Sequence, residues 1–392
     1  MTRNEQTQVL IAGGGPVGLF AAVCAAQYGL DVIVLERNFR GAPRGHTTLL
    51  HPSSMRLLAE LGLAPLLLRE GLLLERLELR VNADTRLLEL PFPALSITQA
   101  VLEEALLQVL RKQEVDLRAT YELTSLDQDQ LHVKVKAVHR ERTKAASLME
   151  DERWELVDSA AIQARFVIGA DGRASTVRQS LGIRSATNPT ERYAMFEFPC
   201  DPPPEPRLLI DNEHSSFVSP LVAGRARCSF QLSRDQHASA DLALLTTLLR
   251  TRAPEQTVPR ELHWSGIVDF EPSIAEAFGR DRVWLAGDAA HTVGPLGVQS
   301  MNRGLQEAWQ LVEAMAAVSA GKHSLESLEL LGAAQRRQWL RALAQDAHFE
   351  LLPQAPGWLA QHAQRIVSAL PVSGPDLDDV LAQLGMRLSP MR

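Results

Sequence analysis

The order of apolar and polar positions divides the chain before any single residue is considered. Val9-Leu10-Ile11-Ala12 is a short, unbroken apolar run, the pattern of a strand covered on both faces of a parallel sheet. From Gly15 to Gly29 the small residues Ala21, Ala22, Ala25 and Ala26 recur at helical spacing, and Gly29 supplies a C-terminal stop. Asp31 to Glu36 is the next strand, which completes a βαβ opening unit. Pro52 to Leu61 predicts a helix, and Leu77 to Leu90 alternates well enough for one or two strands. Pro91-Phe92-Pro93 is expected to break the chain before an amphipathic helix over Thr98 to Lys112. Glu122 to Arg140 reads as meander strands with Lys134 and Lys136 facing outward, and Arg165 to Ala170 as another buried strand.

The pattern then changes. Between about Asn188 and Ser265 the strand candidates are short: Leu208-Ile210, Ser216-Ser219 and Arg227-Leu232. The proline-rich stretch from Pro199 to Pro206 interrupts them as a stiff surface loop. Arg282 to Ala286 returns to a buried strand, and a long helix is expected from Ser300. Beyond Glu326 the chain reads as helical, with breaks at Pro353 and Pro356.

Composition adds exclusions. The 392 residues are 45% hydrophobic and 22% charged, the mix of an ordinary globular protein of two modest domains or one with an insertion. A net charge of −7 disfavours nucleic acid or an anionic membrane as partner. No apolar run approaches the ~20 residues that span a bilayer. Cys24, Cys200 and Cys228 match neither a disulfide framework nor a metal-ligand spacing, and the polar N-terminus does not read as a signal peptide. The expected compartment is the cytoplasm, without a metal, and the expected state a monomer or homodimer.

The first chemical motif lies between the opening strand and helix, in Gly13-Gly14-Gly15-Pro16-Val17-Gly18. In such a turn the first glycine permits the tight bend, the second lets backbone approach a pyrophosphate, and the third lets helix pack on strand. The helix N-terminus supplies free N–H groups and positive dipole. Glu36 follows 18 residues beyond Gly18, placed for ribose hydroxyls, and Arg37 is either an adenine contact or a solvated strand-end charge. The unit predicts a dinucleotide without separating FAD from NAD. A carboxylate at the ribose position argues against a 2′-phosphate.

Two further motifs follow buried strands. One is Ala170-Asp171-Gly172-Arg173-Ala174-Ser175-Thr176-Val177-Arg178. The other is Leu285-Ala286-Gly287-Asp288-Ala289-Ala290-His291, which continues through Pro295-Leu296-Gly297-Val298-Gln299-Ser300-Met301-Asn302-Arg303-Gly304. With the glycine turn they resemble the DG and GD motifs of single-component (class A) flavoprotein monooxygenases, the para-hydroxybenzoate hydroxylase-like family, from Gln8 to about Val318. The resemblance implies an α/β fold: a Rossmann-like FAD-binding domain (1–75, 97–182, 270–325), an inserted, mostly antiparallel β-sheet substrate domain (76–96, 183–269) and a C-terminal helical region (326–392). It assigns Arg44 and Gln99 to flavin contacts and Asp171 and Arg178 to the pyrophosphate, with a helix cap and ion pair as the alternative for the latter two.

Chemistry agrees with that assignment. Asp288 at a strand end can accept ribityl hydroxyls. The helix from Ser300 can turn its positive end toward the N1–C2=O edge of the flavin, with Met301 and Asn302 in its first turn. Pro295 and Gly297 are expected to position the flavin loop, with no acid or base assigned, and His291 to act as a structural hydrogen-bonding residue. The chain departs from the resemblance at Gly294, Val298 and Ser300, where the family carries Pro or His, Gly and Gly.

Only one GxGxxG occurs and no Cys-x-x-Cys, so NADH or NADPH is expected as a transient co-substrate. By resemblance, a C4a-hydroperoxyflavin formed with O₂ hydroxylates a small aromatic or polyketide-like substrate. His214, Phe217 and Gln231 are candidates for lining that substrate's pocket, or plain sheet residues. Tryptophans 154, 264, 284, 309, 339 and 358 form no Trp-x-Trp-x-Ile-Pro, which argues against a halogenase. A reductase of the geranylgeranyl type and a non-catalytic flavin-binding partner remain as alternatives.

Overall fold

The computed structural model describes residues 4–38, 47–142, 154–201, 205–236, 238–297, 300–342 and 349–389. Two eight-stranded sheets organise it. In the first, the strands Asp116–Ala119, Val32–Glu36, Asn4–Ala12, Trp154–Gly169 and Val283–Leu285 lie side by side and parallel. The apolar opening run is explained by this position. Val9 and Ile11 pack with Val32 and Val34 under the helices Pro16–Gln27, Gln99–Lys112 and Ser300–Ser319. Leu10 and Ala12 pack with Ile33 and Leu35 in a separate core on the opposite face. With both faces covered over Val9–Ala12, no position in that run is left for a polar side chain. Ile11→Ala would cost about 2–5 kcal/mol.

The second sheet runs Trp264–Phe270, Glu191–Pro199, Arg225–Leu232, Ser215–Leu221, Arg207–Ile210, Leu72–Val81, Asp84–Thr98, Thr47–Leu50. Every neighbouring pair is antiparallel except Arg207–Ile210 against Leu72–Val81. It draws on Thr47–Leu50 and on residues 72–75, both outside the segments expected for it. Contrary to expectation, Pro91-Phe92-Pro93 does not break the chain. The strand Asp84–Thr98 passes through it, and the register against Leu72–Val81 jumps from Arg76↔Glu89 to Leu74↔Ala94. The prolines occupy that bulge, where no ladder N–H is required of them.

The inner strands of this sheet alternate strictly. Ala194, Phe196 and Phe198, with Ala226, Cys228, Phe230 and Leu232, pack on Leu245, Leu248 and Leu249 of the helix Leu242–Arg252, an element the sequence pattern did not suggest. The intervening positions Glu191, Tyr193, Met195 and Glu197, paired with Gln231, Ser229 and Arg227, share the other face. After the helix Glu326–Ala342, the helices Leu359–Ala369 and Pro375–Gln383 cover the Leu72–Val81 side of the sheet. A small strand pair, Phe349–Leu351 with Met386–Leu388, lies beside them. Arg56 anchors this region to the first domain through a two-pronged ion pair with the buried Asp376.

Candidate functional site

The three motifs meet at the carboxyl ends of the parallel strands. Gly13 has φ +106°, and a Cβ there would lie 2.1 Å from the Ala170 carbonyl oxygen. A Cβ on Gly18 would lie 1.9 Å from the Gly13 carbonyl oxygen. Both are glycine because protein atoms leave no room. Gly15 differs: its backbone is extended, and nothing lies within 4 Å of its Cβ position. That side opens into a cavity of about 380 Å³, so only a ligand held against the backbone would require glycine.

The cavity runs from Glu36 and Arg37, past the glycine turn and Asp171, to Asp288, Gln99, Thr48 and Met301. Glu36 is buried, and each of its oxygens accepts a backbone N–H, from Gly14 at 2.7 Å and from Asn38 at 2.8 Å. Expected at a ribose, it also braces the glycine turn. Asp171 accepts the Val177 N–H at 3.1 Å, capping the helix Thr176–Ser180, while its other oxygen is buried without a protein partner. An orphaned acceptor and an open glycine on one wall fit a group bearing hydroxyls and phosphates. Arg178 is not among the residues that line the cavity. It donates to the carbonyls of Ala289, at 2.6 Å, and Arg173, at 2.8 Å, stapling one motif to the other.

Asp288 is exposed to the cavity, and the Ser300 hydroxyl donates to it. Behind it lies a buried network that the motifs did not reveal. The Gly287 N–H donates to Glu307 at 3.1 Å, and His291 bonds both Glu307 oxygens at 2.7 and 2.8 Å while stacking on Trp339 at 3.8 Å. Burial works to raise the Glu307 carboxyl, but His291, Arg303 and the Gly287 N–H outweigh it and hold the carboxyl below its ordinary value. The sequence signal was available: Arg303 and Glu307 stand at i and i+4 within a helix otherwise buried by Leu305, Ala308 and Leu311. His291 is thus structural, as expected.

Met301 lines the cavity and Gln99 donates to Glu103 at 2.8 Å at its edge. Asn302 does not reach it. Its side chain is fully buried, donating to the Leu49 carbonyl at 2.8 Å and accepting from the His51 N–H and Ser54 hydroxyl at 2.8 and 2.7 Å. A helix-to-strand tether uses its hydrogen-bonding capacity. Arg44, Val298 and Gln299 lie outside the described residues.

Thr48 also lines a smaller cavity of about 60 Å³, walled by Pro295 and by Met195, Phe217, Ser219, Arg227 and Ser229 of the second sheet. The buried Glu197 accepts from Arg227 at 3.0 Å, holding the guanidinium at its edge. Along the same sheet face, beyond Gly294 and Leu296, lies a cavity of about 630 Å³ lined by Glu191, Tyr193, Ser215 and Gln231. Gly297, at φ +73°, closes the loop against the helix Leu359–Ala369, where a Cβ would lie 1.8 Å from the Ser368 carbonyl oxygen.

Of the substrate-pocket candidates, Phe217 lines the smaller cavity and Gln231 the larger one. The Gln231 side chain accepts the Ser215 N–H at 2.9 Å. His214 lines neither; it bonds Ser233 at 3.2 Å in the turn built on Asp211. Met195, Ser219, Ser229, Tyr193 and Glu191 were missed, although the strands 191–199, 215–221 and 225–232 carried them. Among the described residues no cluster of His, Cys, Asp or Glu could hold a metal, and no helix is long and apolar enough to cross a membrane.

A dinucleotide cavity at the ends of a parallel sheet, roofed by a mostly antiparallel one, defines a two-domain flavoprotein architecture. The FAD binding domain family matches residues 6–346, and the chain belongs to that family. Its cofactor is FAD. The chain is similar to the rifampicin monooxygenase of Streptomyces venezuelae, 27% identical over 323 residues that cover 77% of this chain and 62% of that protein. The pentachlorophenol 4-monooxygenase of Sphingobium chlorophenolicum is 26% identical over 373 residues, 83% of this chain and 61% of that protein. The chain therefore spans about three fifths of these relatives' length. Among solved structures, the p-nitrophenol 4-monooxygenase of Pseudomonas putida superposes with a TM-score of 0.70 at 23% identity, over 86% of each chain. A probable FAD-dependent monooxygenase of Pseudomonas aeruginosa gives 0.70 at 20% identity, over 93% of this chain and 98% of that one. At these identities the structures establish the fold.

Proposed function

We propose that this chain is an NAD(P)H- and O₂-consuming monooxygenase that hydroxylates an aromatic or polyketide-like substrate held on the polar face of the second sheet. The observation that carries the reading is that Thr48 lines both the cavity at the strand ends and the small cavity on that face. The Gly13–Gly18 turn would hold the pyrophosphate, with Asp171 beside it. Glu36 and Arg37 would take the adenosine end, Asp288 the ribityl chain, and Gln99 and Met301 the approach to the ring. When bound, the flavin supplies a centre that takes hydride from NADH or NADPH and passes one oxygen atom of O₂ to the substrate ring.

The chain's own residues do the remaining work. Pro295 and Leu296 separate the ring's surroundings from the larger cavity and limit water. Phe217 and Met195 offer apolar contact to an aromatic ring, and Ser219, Ser229 and Arg227 offer hydrogen bonds that fix its orientation. The expected compartment is a reducing cytoplasm.

The purified protein should show a visible flavin spectrum. An NADH and NADPH oxidation screen over phenols, quinolones and polyketides, with oxygen uptake recorded, then tests the reaction. Substrate-dependent oxidation with no oxygen consumed would replace this reading with a reductase. Flavin that stays oxidised under every condition would leave a non-catalytic binding protein.

A further inference from the structure

The loop between His291 and Ser300 is held by two close approaches. One is Gly297 on the Ser368 carbonyl. The other is at Gly294, and the backbone does not explain it, because Gly294 is not among the glycines with positive φ. What excludes a side chain there is a neighbour: a Cβ on Gly294 would lie 2.7 Å from Glu191 Oε2, 3.4 Å from Tyr193 Cε2 and 3.7 Å from Tyr193 Oη. That carboxylate ends a flexible side chain, and a hydrogen bond restrains it. The Tyr193 hydroxyl donates to it at 3.1 Å, and the Tyr193 ring is 2% exposed and wedged edge-on to Phe270 at 5.8 Å. Glu191 is half-buried, with Arg234 as a nearby attractive charge.

We infer that Glu191 is a positioning residue for the flavin loop: its carboxylate, held by Tyr193, fills the place of a side chain at position 294 and seats Gly294-Pro295-Leu296 against the second sheet. Glycine at 294 is then a consequence of the carboxylate rather than of the turn. The seat fixes Pro295 on the side of the small cavity and Leu296 on the side of the large one. Glu191 acts through the loop, and no contact with flavin or substrate is required of it. The inference rests on the reading that this loop borders the flavin ring.

The test is a double-mutant cycle on the holoenzyme, reading FAD affinity and the visible band of the bound flavin. Gly294→Ala pushes the carboxylate off Tyr193 and should weaken FAD by about tenfold, with a shifted band. Glu191→Ala removes the seat and should act in the same direction. In Glu191→Ala/Gly294→Ala the new methyl enters the vacated space, so the double variant should be no worse than either single one. Glu191→Gln, which keeps the shape and still accepts from Tyr193, should stay within about twofold of wild type. Losses that multiply in the double variant, or a Gly294→Ala protein with wild-type affinity and spectrum, would overturn the inference. Thermal unfolding of each variant separates loop displacement from a folding defect, and Glu191→Ala, which only removes atoms, keeps the test valid if Gly294→Ala folds poorly. Wild-type protein that retains no FAD would sink the flavin reading itself. FAD retained with multiplicative losses sinks only this one.

Discussion

The cofactor cavity and the polar sheet face use the same chain in opposite ways. The cavity is made by backbone: strand ends, a glycine turn and helix N-termini, with side chains such as Glu36 and Arg178 spent on bracing main-chain groups. The sheet face is made by side chains alone, every second residue of strands far apart in sequence. A backbone site tolerates almost no change of residue, because it depends on where atoms are absent. A side-chain site can be rewritten one position at a time without disturbing the sheet that carries it. The difference predicts that substitutions in the first region damage fold and flavin together, whereas those in the second change what is bound.

The largest effect should come from the support behind the Gly287-Asp288 turn. Glu307→Ala would leave Arg303 buried without its counter-charge and should cost about 3–5 kcal/mol of stability, read by urea unfolding. Next, Gly13→Ala should cost about 3 kcal/mol and abolish FAD retention, because its Cβ meets the Ala170 carbonyl in a positive-φ backbone. Gly15→Ala is the contrast that can break the comparison. It should leave unfolding within about 0.5 kcal/mol yet weaken FAD at least about tenfold. Equal damage to stability from both would mean the open side of Gly15 is not a ligand's place.

Acid should find the cofactor side first as well. His51 is fully buried with no partner for either ring nitrogen, and burial lowers its pKa to about 3 from 6.5. The unfolded chain therefore takes up the proton first, and stability present above pH 6.5 should fall progressively toward pH 3. His51→Leu should flatten that limb of a pH series of unfolding midpoints. The smallest effect is expected on the sheet face: Ser229→Ala should change substrate KM by a few-fold, about 1 kcal/mol, with FAD content unaltered. Loss of flavin in that variant would join the two regions that the comparison separates.

Legibility followed the same division. Gly13, Gly15, Gly18, Asp171 and Asp288 were readable because local spacing encodes a strand, a turn and a helix end, and these need no distant partner. The tether made by the Asn302 side chain and the role of Glu307 were unseen because a helical residue's partners depend on which neighbour its face meets. His51 and Leu49, some 250 residues away in sequence, decide it for Asn302. The His214 ring bonds Ser233, a partner that the local pattern does not reveal. Pro91 to Pro93 read as a break because a bulge is defined only by the partner strand.

The sequence by itself determined the parallel sheet, the dinucleotide turn and the FAD motifs, since each is set by interactions within a few tens of residues. The lining of the two cavities on the second sheet came from the tertiary structure. Pairing Glu191–Pro199 with Arg225–Leu232 aligns their alternate side chains into one polar face, and docking the loop on that face sets Glu191 against Gly294. Register and docking are global properties, fixed when buried surfaces match, and no local pattern contains them.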